Sequence, residues 1–366
     1  MRDYSEVLKV LEANSSLQHQ VLVGFDGFID EICQVVDERL TASAYRPVKT
    51  ITDYSNKIGK YAGLSMNIEI VPKLVKLGGN APIMANCLAE LGNSIDFIGA
   101  IGKNKIHPLF RDFSVKCRNC FSVSEPGHTD ALEFTDGKIM LGKIEPMDIV
   151  TWNNITAYIG LERLTEIVQE SELLAFNNWT LIFGMNSIIE GFTELLSQTN
   201  HNPFIYFDLS DPTKRDRQDI REAIYYISQM QEVGKVILGL NKNESDLISQ
   251  IIKKKEEDLA DRALMIKDSL GIYACVIHDL KGASCGYEDK SVWIDGPFTP
   301  KPKLSTGAGD NFNAGYCYGL LNSLTPEESL LTGVCTSGFY VREQHSPNSQ
   351  ELLSFIKSYK NNEVKE

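Results

Sequence analysis

Short runs of apolar residues alternate along most of the chain with segments in which apolar residues recur every three or four positions. The runs are typical of strands covered on both faces, and the periodic segments are typical of amphipathic helices. The predicted strands are residues 20–25, 94–101, 180–185, 203–209, 235–240 and 273–280. The predicted helices are residues 82–92, 219–233, 243–271 and two C-terminal segments. This alternation predicts an α/β fold with a doubly wound, mostly parallel sheet flanked by helices.

Two regions interrupt this alternation. Residues 31–76 have weak periodicity, and residues 130–146 contain two short alternating runs separated by Thr135-Asp136-Gly137, which is typical of a hairpin turn. Extra strands outside the main alternation suggest a small β lid over one end of the sheet. We therefore expect residues 1–366 to form a single domain, with the lid built from parts of these two regions.

Composition excludes several classes of protein. The 366 residues carry 49 acidic and 36 basic side chains, a net charge of −13, which argues against binding to nucleic acid or to an anionic membrane. The first residues are typical of an amphipathic helix rather than a signal peptide. Cys117 and Cys120 are the one close pair among eight cysteines, and no second pair follows at zinc-site spacing. We expect a reduced, cytoplasmic protein.

A glycine-rich segment near the C-terminus carries the strongest chemical signal. Ser305-Thr306-Gly307-Ala308-Gly309 runs into a helical pattern, so several backbone N–H groups at the helix start can bind a phosphate or a developing anion. Asp310 follows directly, where a carboxylate could take a proton from an attacking hydroxyl. The alternative is an Asp that the helix dipole favours in a first turn. The preceding glycines favour the catalytic interpretation.

Two other glycine motifs are ruled out by spacing. No G-x-x-x-x-G-K-[ST] motif is present, which excludes a P-loop. After Gly307 and Gly309 the next glycine is Gly315, which fails the dinucleotide spacing G-x-G-x-x-G and makes a dehydrogenase a poor fit.

A second segment combines glycines with helix signals. Gly78 and Gly79 allow close backbone approach to a ligand, Asn80 is a favourable N-cap, Pro82 suits a first helical turn, and Gly92 suits a helix end. Helix architecture alone explains all of these except the second glycine.

The segments GGNAPIMANCLAELG and STGAGDNFNAG resemble the N-terminal and C-terminal signatures of the ribokinase-like (PfkB) carbohydrate kinases. The resemblance implies an ATP- and Mg²⁺-dependent kinase acting on a hydroxyl of a sugar or sugar-like molecule, and a homodimer through the lid. It implies Asp310 as base and an anion hole at Gly307, Ala308 and Gly309. The implied acceptor residues are Gly79, Asn80 and Asp30, with Asp26 as second choice. The implied nucleotide residues are Asn241, Glu244, Lys281, Gly282 and Thr306, with Glu244 near Mg²⁺ through water.

Several points stay open. Asn241 and Glu244 also have capping-box spacing, and Asp208 and Arg215 match a family element only loosely, so a charged loop is an equal interpretation. Leu304 stands where the family often has an Asp that helps to bind a monovalent cation, which leaves K⁺ dependence undecided. A nucleoside or phosphosugar acceptor is an alternative, as is a non-catalytic sugar binder.

Overall fold

The computed structural model describes residues 4–364 and builds them into two β-sheets with surrounding helices. The strands are β1 Gln20–Gly24, β2 Phe28–Arg39, β3 Tyr45–Pro47, β4 Ile70–Gly78, β5 Ser94–Gly99, β6 Asn119–Ser122, β7 Gly127–Phe134, β8 Gly137–Lys143, β9 Leu173–Asn177, β10 Phe204–Asp208, β11 Lys235–Asn241, β12 Ala274–Asp279, β13 Gly282–Tyr287 and β14 Lys290–Asp295. The helices are α1 Tyr4–Ala13, α2 Ile51–Gly59, α3 Asn80–Glu90, α4 Arg111–Ser114, α5 Trp152–Ile159, α6 Leu161–Glu170, α7 Met185–Ser197, α8 Arg217–Gln229, α9 Lys242–Ile251, α10 Leu259–Leu270, α11 Ala308–Leu321, α12 Pro326–Glu343 and α13 Ser349–Lys360.

The main sheet has nine strands in the order β14-β13-β12-β11-β10-β9-β1-β5-β6. The seven strands from β12 to β6 are parallel, and β13 and β14 add an antiparallel edge. The predicted α/β class with a mostly parallel sheet is therefore confirmed. Among the described helices, none is long and apolar enough to cross a membrane.

Alternate residues of each central strand pack on opposite sides of this sheet. Val21 and Val23 belong to a core shared with α1, α3, α11, α12 and α13, whereas Leu22 between them belongs to a core shared with α5 to α10. The period of two residues in a strand produces this division. Because both faces are covered, the strands appear in the sequence as unbroken apolar runs.

Two predicted elements are wrong. Residues 180–185 do not form a strand, because the strand at this point is β9 and Asn178, with a φ of 62°, turns the chain directly after it. The helix predicted over 243–271 is divided into α9 and α10. Lys253 takes a φ of 57° just after α9, and the Asp258 side chain accepts the amides of Ala260 and Asp261 to start α10.

The second sheet comes from the two irregular regions and begins slightly earlier than predicted. β2 pairs with β3 and β4 as antiparallel neighbours and with β7 as a parallel one, and β8 forms a hairpin with β7 through residues 135–136. α2 packs on it over a small apolar cluster around Cys33, Val35 and Leu132. Its strands β4 and β8 carry side chains to the segment that precedes α11.

A cluster of aromatic rings holds β9 and β10 against α7, and it gives a test of the fold. The Phe176 ring lies 5.4 Å from Phe25, 5.5 Å from Phe192 and 4.9 Å from Phe207. We expect Phe176→Ala to lower the free energy of unfolding by about 3–5 kcal/mol, because it removes a fully buried ring. Urea denaturation of the variant and the wild type measures this difference in the free energy of unfolding. The exposed Tyr158 is the control, because Tyr158→Ala should change the free energy of unfolding by less than about 0.5 kcal/mol. Equal losses in the two variants would contradict the role of Phe176 in the core.

Candidate active site

The carboxyl ends of the central parallel strands bring polar residues to one edge of the main sheet. Asp26 follows β1, Asn178 follows β9, Asp208 ends β10 and Asn241 ends β11. Ligands of open α/β sheets bind at this edge, where the strand order reverses. Here the chain crosses from β1 to β5 on one side and to β9 on the other, so the fold predicts a binding crevice beside Asp26.

Helix α11 begins at this edge, where the amide of Ala308 donates to the carbonyl oxygen of Ser305 at 3.2 Å. Gly307 is the N-cap, with a φ of 98° that favours glycine, and a Cβ there would lie 2.8 Å from the Tyr340 hydroxyl oxygen. Ala308 and Gly309 form the first turn, whose N–H groups have no partner within the helix. We refer to residues 307–309 as the anion cradle, because backbone N–H groups at a helix start can bind an anion.

Asp310 lies in the same first turn and is 8% exposed. Burial, followed by repulsion from Asp208 and Asp26, raises the pKa of its carboxyl well above the usual range, while a hydrogen bond with Asn80 and the charge of Lys76 oppose this rise. Its Oδ1 atom is buried and has no hydrogen-bond partner within the described part of the chain. A buried acceptor without a partner marks a place where a ligand group could donate a hydrogen bond.

Asp26 caps helix α3 from outside the helix. Its Oδ1 accepts from the Ala81 amide at 2.7 Å, and its Oδ2 accepts from the Asn80 amide at 3.0 Å and from Asn178 Nδ2 at 2.6 Å. Burial raises the pKa of Asp26 to about 6. The prediction that Asn80 is the N-cap is wrong, since Gly79 holds that position. The Asn80 side chain is thereby free to bond with Asp310 and to accept from Ser210 Oγ at 3.3 Å.

Asp30 lies on β2 and faces the second glycine segment. A Cβ on Gly78 would come within 2.3 Å of the Asp30 carboxyl carbon, so only glycine fits there. Burial raises the pKa of Asp30, and Lys76, Lys138 and a bond with Thr129 counteract it. Asp30 has fewer hydrogen bonds than Asp26, whose oxygens accept three, and is therefore the stronger candidate to bind a substrate hydroxyl.

A pair of acidic side chains lies beside the crevice. Asp208 accepts from Asn313 Nδ2 at 2.8 Å, and burial together with the charge of Glu244 raises its pKa to about 8. Glu244 forms a capping box with Asn241 and also accepts the Asp211 amide at 2.9 Å. No group of three or more metal-ligating side chains occurs in residues 4–364. Mg²⁺ bound with a nucleotide takes one or two carboxylates plus phosphates and water, and this pair fits that requirement.

A cavity of about 480 Å³ is bordered by Ala308 and Gly309 at the start of α11. Asn241 and Gly282 line it, and its apolar wall consists of Leu280, Pro297, Phe298, Phe312, Val334 and Val341. Lys281 is exposed and, among the described residues, is not part of the lining, although its neighbour Gly282 is. The size and the apolar walls of this cavity suit a planar base. Ala308 and Gly309 of the anion cradle line the same cavity, so a phosphate attached to that base could reach them.

Thr306 is held by two lysines of the second sheet and by a tyrosine of α12. Its carbonyl accepts from Tyr340 and Lys76, and its hydroxyl accepts from Lys138. Arg215, a loose family match, instead stacks on Trp179 and Phe183 at 4.4 and 4.3 Å and bonds Asp219. Those contacts engage Arg215 with Asp219 and two aromatic rings, and among the described residues no ion pair joins it to Asp208 or Glu244.

Several residues at the site carry no recognisable signal in the sequence. Asn178 follows β9, and the apolar run at 180–185 predicts a strand only after it, so the pattern does not mark Asn178 as the end of a strand. Lys76 and Lys138 occur in strands that resemble ordinary solvated edges, so nothing in their spacing marks them. Tyr340 lies in a long C-terminal helix, more than 30 positions after Thr306.

Comparisons with known proteins extend over nearly the whole chain. A ketohexokinase from Haloferax volcanii is 28% identical over 344 residues, covering 93% of this chain and 91% of the relative. A 5-dehydro-2-deoxygluconokinase from Clostridium beijerinckii is 24% identical over 301 residues, covering 78% and 85%. These relatives and the matching family identify the chain as a sugar kinase that transfers phosphate to a hydroxyl group.

Solved structures show the same fold. Arabidopsis thaliana ribokinase complexed with ribose and ATP has a TM-score of 0.63 at 16% identity, covering 93% of this chain and 99% of that one. Ribokinase from Thermotoga maritima has a TM-score of 0.59 at 17% identity, with the same coverage. The resemblance to ribokinase-like kinases is confirmed. The model of the prokaryotic ketohexokinase family matches residues 10–359, and the chain belongs to that family.

Proposed function

We propose that this enzyme transfers the γ-phosphoryl group of ATP to a primary hydroxyl of a ketohexose, with Asp310 as general base. One observation carries the mechanism: the Asp310 carboxylate has a buried, unpartnered oxygen in the first turn of α11, next to the anion cradle. The acceptor class is supported by the family match over residues 10–359 and by the Haloferax relative named ketohexokinase.

The acceptor would lie between Asp30 and the Gly79–Asn80 turn. Asp30 would accept a hydrogen bond from one sugar hydroxyl, and Asn80, already bonded to Asp310, would orient a second. The hydroxyl that attacks would donate to Asp310 and lose its proton to that carboxylate as its oxygen bonds to the γ-phosphorus. The bond between the γ-phosphorus and the bridging oxygen would break in the same step, and ADP would leave with that oxygen. Positioning of this kind accounts for most of the catalysis in phosphoryl transfer.

The phosphate donor would occupy the cavity at the start of α11. Its base would lie against the apolar wall, and the amides at 307–309 would hold the transferring phosphoryl group. Asp208 and Glu244 are the residues that would hold Mg²⁺, Glu244 through water. When bound, Mg²⁺ neutralises charge on the phosphates. Asn241 and Gly282 line this cavity and would contact the nucleotide. The exposed Lys281 side chain is not part of this proposal.

The second sheet would act as the lid of a single domain. Two of its lysines already contact the segment before α11, and a closed lid limits wasteful hydrolysis of ATP. A homodimer through the lid stays a prediction. The exposed side chains that such a contact would cover are Leu74, Val75, Met140 and Leu141.

Other acceptors are less well supported. The Clostridium relative acts, by its name, on an acidic sugar, and lysines beside Asp30 could in principle bind a carboxylate. In this structure Lys76 and Lys138 instead bond with oxygens of residues 305–306, so they are not free for a second anion. A non-catalytic sugar binder would not need a base beside an anion cradle.

The acceptor is tested by measuring ADP release with MgATP and a panel of sugars. We expect kcat/KM for D-fructose to exceed that for D-ribose, D-glucose, inosine and 5-dehydro-2-deoxygluconate by at least about tenfold, since a site built for one hydroxyl pattern leaves its polar groups unpaired with others. Highest activity with any other member of the panel would contradict the ketohexose assignment.

The role of Asp310 is tested by Asp310→Asn, which keeps the shape and removes the base. We expect kcat to fall at least ~10²-fold while ATP affinity, measured by titration calorimetry, changes little. Asp261 is the matched control, because it is the third residue of α10 as Asp310 is of α11, and it is exposed. Near-normal turnover of Asp310→Asn would exclude the carboxylate as base.

The raised pKa of Asp310 predicts the pH profile. Only the ionised carboxylate accepts a proton, so the active fraction falls as pH drops through the raised pKa. We expect kcat/KM for D-fructose to fall about tenfold per pH unit on the acid side, beginning well above the ordinary carboxyl range. A profile that stays flat down to about pH 5 would contradict a base whose pKa is raised by burial and by neighbouring acids.

A further inference from the structure

Lys76 makes an unusual contact for a half-buried lysine. Its ammonium nitrogen lies 3.1 Å from the Thr306 carbonyl oxygen and 3.4 Å from the Tyr340 hydroxyl oxygen. Both of these partners are neutral oxygens. Removing an ammonium group from water is costly, and the nearby carboxylates of Asp30 and Asp310 offset part of this cost. The two hydrogen bonds place the resulting positive charge directly behind the carbonyl of Thr306.

The Thr306 carbonyl belongs to the peptide unit whose N–H is that of Gly307. Because the peptide unit is planar, fixing the carbonyl also fixes the direction of this N–H group. Tyr340, from α12, donates to the same carbonyl at 2.8 Å. Two donors from β4 and α12 thus hold the first peptide of the anion cradle, and a charged donor on its oxygen strengthens the N–H as a donor.

The neighbouring side chain offers no replacement for this charge. Leu304, two residues before Thr306, has no oxygen with which to bind a cation, and the Thr306 carbonyl already accepts from two donors. Lys138 approaches from β8 but bonds with the side-chain oxygens of Ser305 and Thr306. It therefore restrains the segment without orienting the carbonyl.

We propose that Lys76 is a positioning residue that supplies, from the lid sheet, the fixed positive charge behind the anion cradle, so that phosphoryl transfer needs no monovalent cation. The inference rests on the proposed role of residues 307–310 in that transfer. Lid and cradle are then coupled, because the strand that covers the acceptor also orients the amides that bind the phosphoryl group.

The first test compares Lys76→Met with Lys76→Arg and with Lys73→Met. Lys73 lies on the same strand, is exposed, and has its ammonium over the Tyr45 ring at 4.9 Å. We expect Lys76→Met to lower kcat at least about tenfold with little change in KM for ATP, Lys76→Arg to retain most activity, and Lys73→Met to be normal. Full kcat in Lys76→Met would overturn the proposal.

Cation replacement gives an independent readout. With D-fructose and MgATP, the wild-type rate should agree within about twofold in potassium, sodium and tetramethylammonium chloride, because the charge is part of the chain. Strong activation of the wild type by potassium would overturn the proposal even if Lys76→Met failed to fold.

The alkaline limb of the kcat–pH profile distinguishes the effect of the Lys76 charge from the effect of its packing. Burial lowers the pKa of Lys76, and the groups that face it are Asp30, Asp310, Lys138, Glu133 and Tyr340. Burial raises the pKa of Tyr340, so its hydroxyl keeps its proton at the pH values at which Lys76 loses one. The wild type should lose kcat at alkaline pH as Lys76 loses its proton, and Lys76→Arg should not. Identical alkaline limbs would contradict the proposal.

Hydrogen–deuterium exchange tests the contact without relying on turnover. Amides of residues 304–310 should exchange at least about threefold faster in Lys76→Met than in the wild type or in Lys73→Met. If the wild type failed to phosphorylate any sugar but this difference appeared, the proposed acceptor would be wrong while the positioning role of Lys76 stood. Unchanged exchange would remove the positioning role itself.

Discussion

The pairing of a buried carboxylate with the positive end of a helix is the interaction on which the active site depends, and it occurs twice. Asp26 accepts the first amides of α3, and Asp310 lies in the first turn of α11. Each helix end stabilises a negative charge that the protein interior would otherwise disfavour. Asn80 joins the two, since its amide bonds with Asp26 and its side chain with Asp310.

The two sheets contribute different parts of the site. The main sheet fixes positions, because its parallel strands end at one edge and place Asp26, Asp208 and Asn241 there. The small sheet contributes Asp30, which faces the acceptor side, and the lysines that reach the segment before α11. Under the proposed function, the small sheet would therefore contribute to the acceptor side of the site and the main sheet to its phosphate side.

The sequence predicted the parts of the site that depend on local backbone requirements. The glycines at 307 and 309 and the pair at 78–79 could be recognised because turns and close approaches demand them. The strands buried on both faces could be recognised from their unbroken apolar runs. Contacts between distant segments could not be recognised from the sequence. The contacts of Asn80 with Asp310 and of Lys76 with Thr306 join residues more than 200 positions apart, and no local pattern encodes them.

The crowding of acids at the sheet edge has a thermodynamic consequence for the empty enzyme. The pKa of Asp26 is about 6 and that of Asp208 about 8, against an ordinary value of 3.8, so the folded chain holds these protons more tightly than the unfolded chain does. The stability gained from holding them is complete in acid and is lost as pH rises through the raised values. Near neutrality Asp26 is therefore mostly ionised while Asp208 mostly keeps its proton, and a cation that binds at Asp208 has to displace that proton.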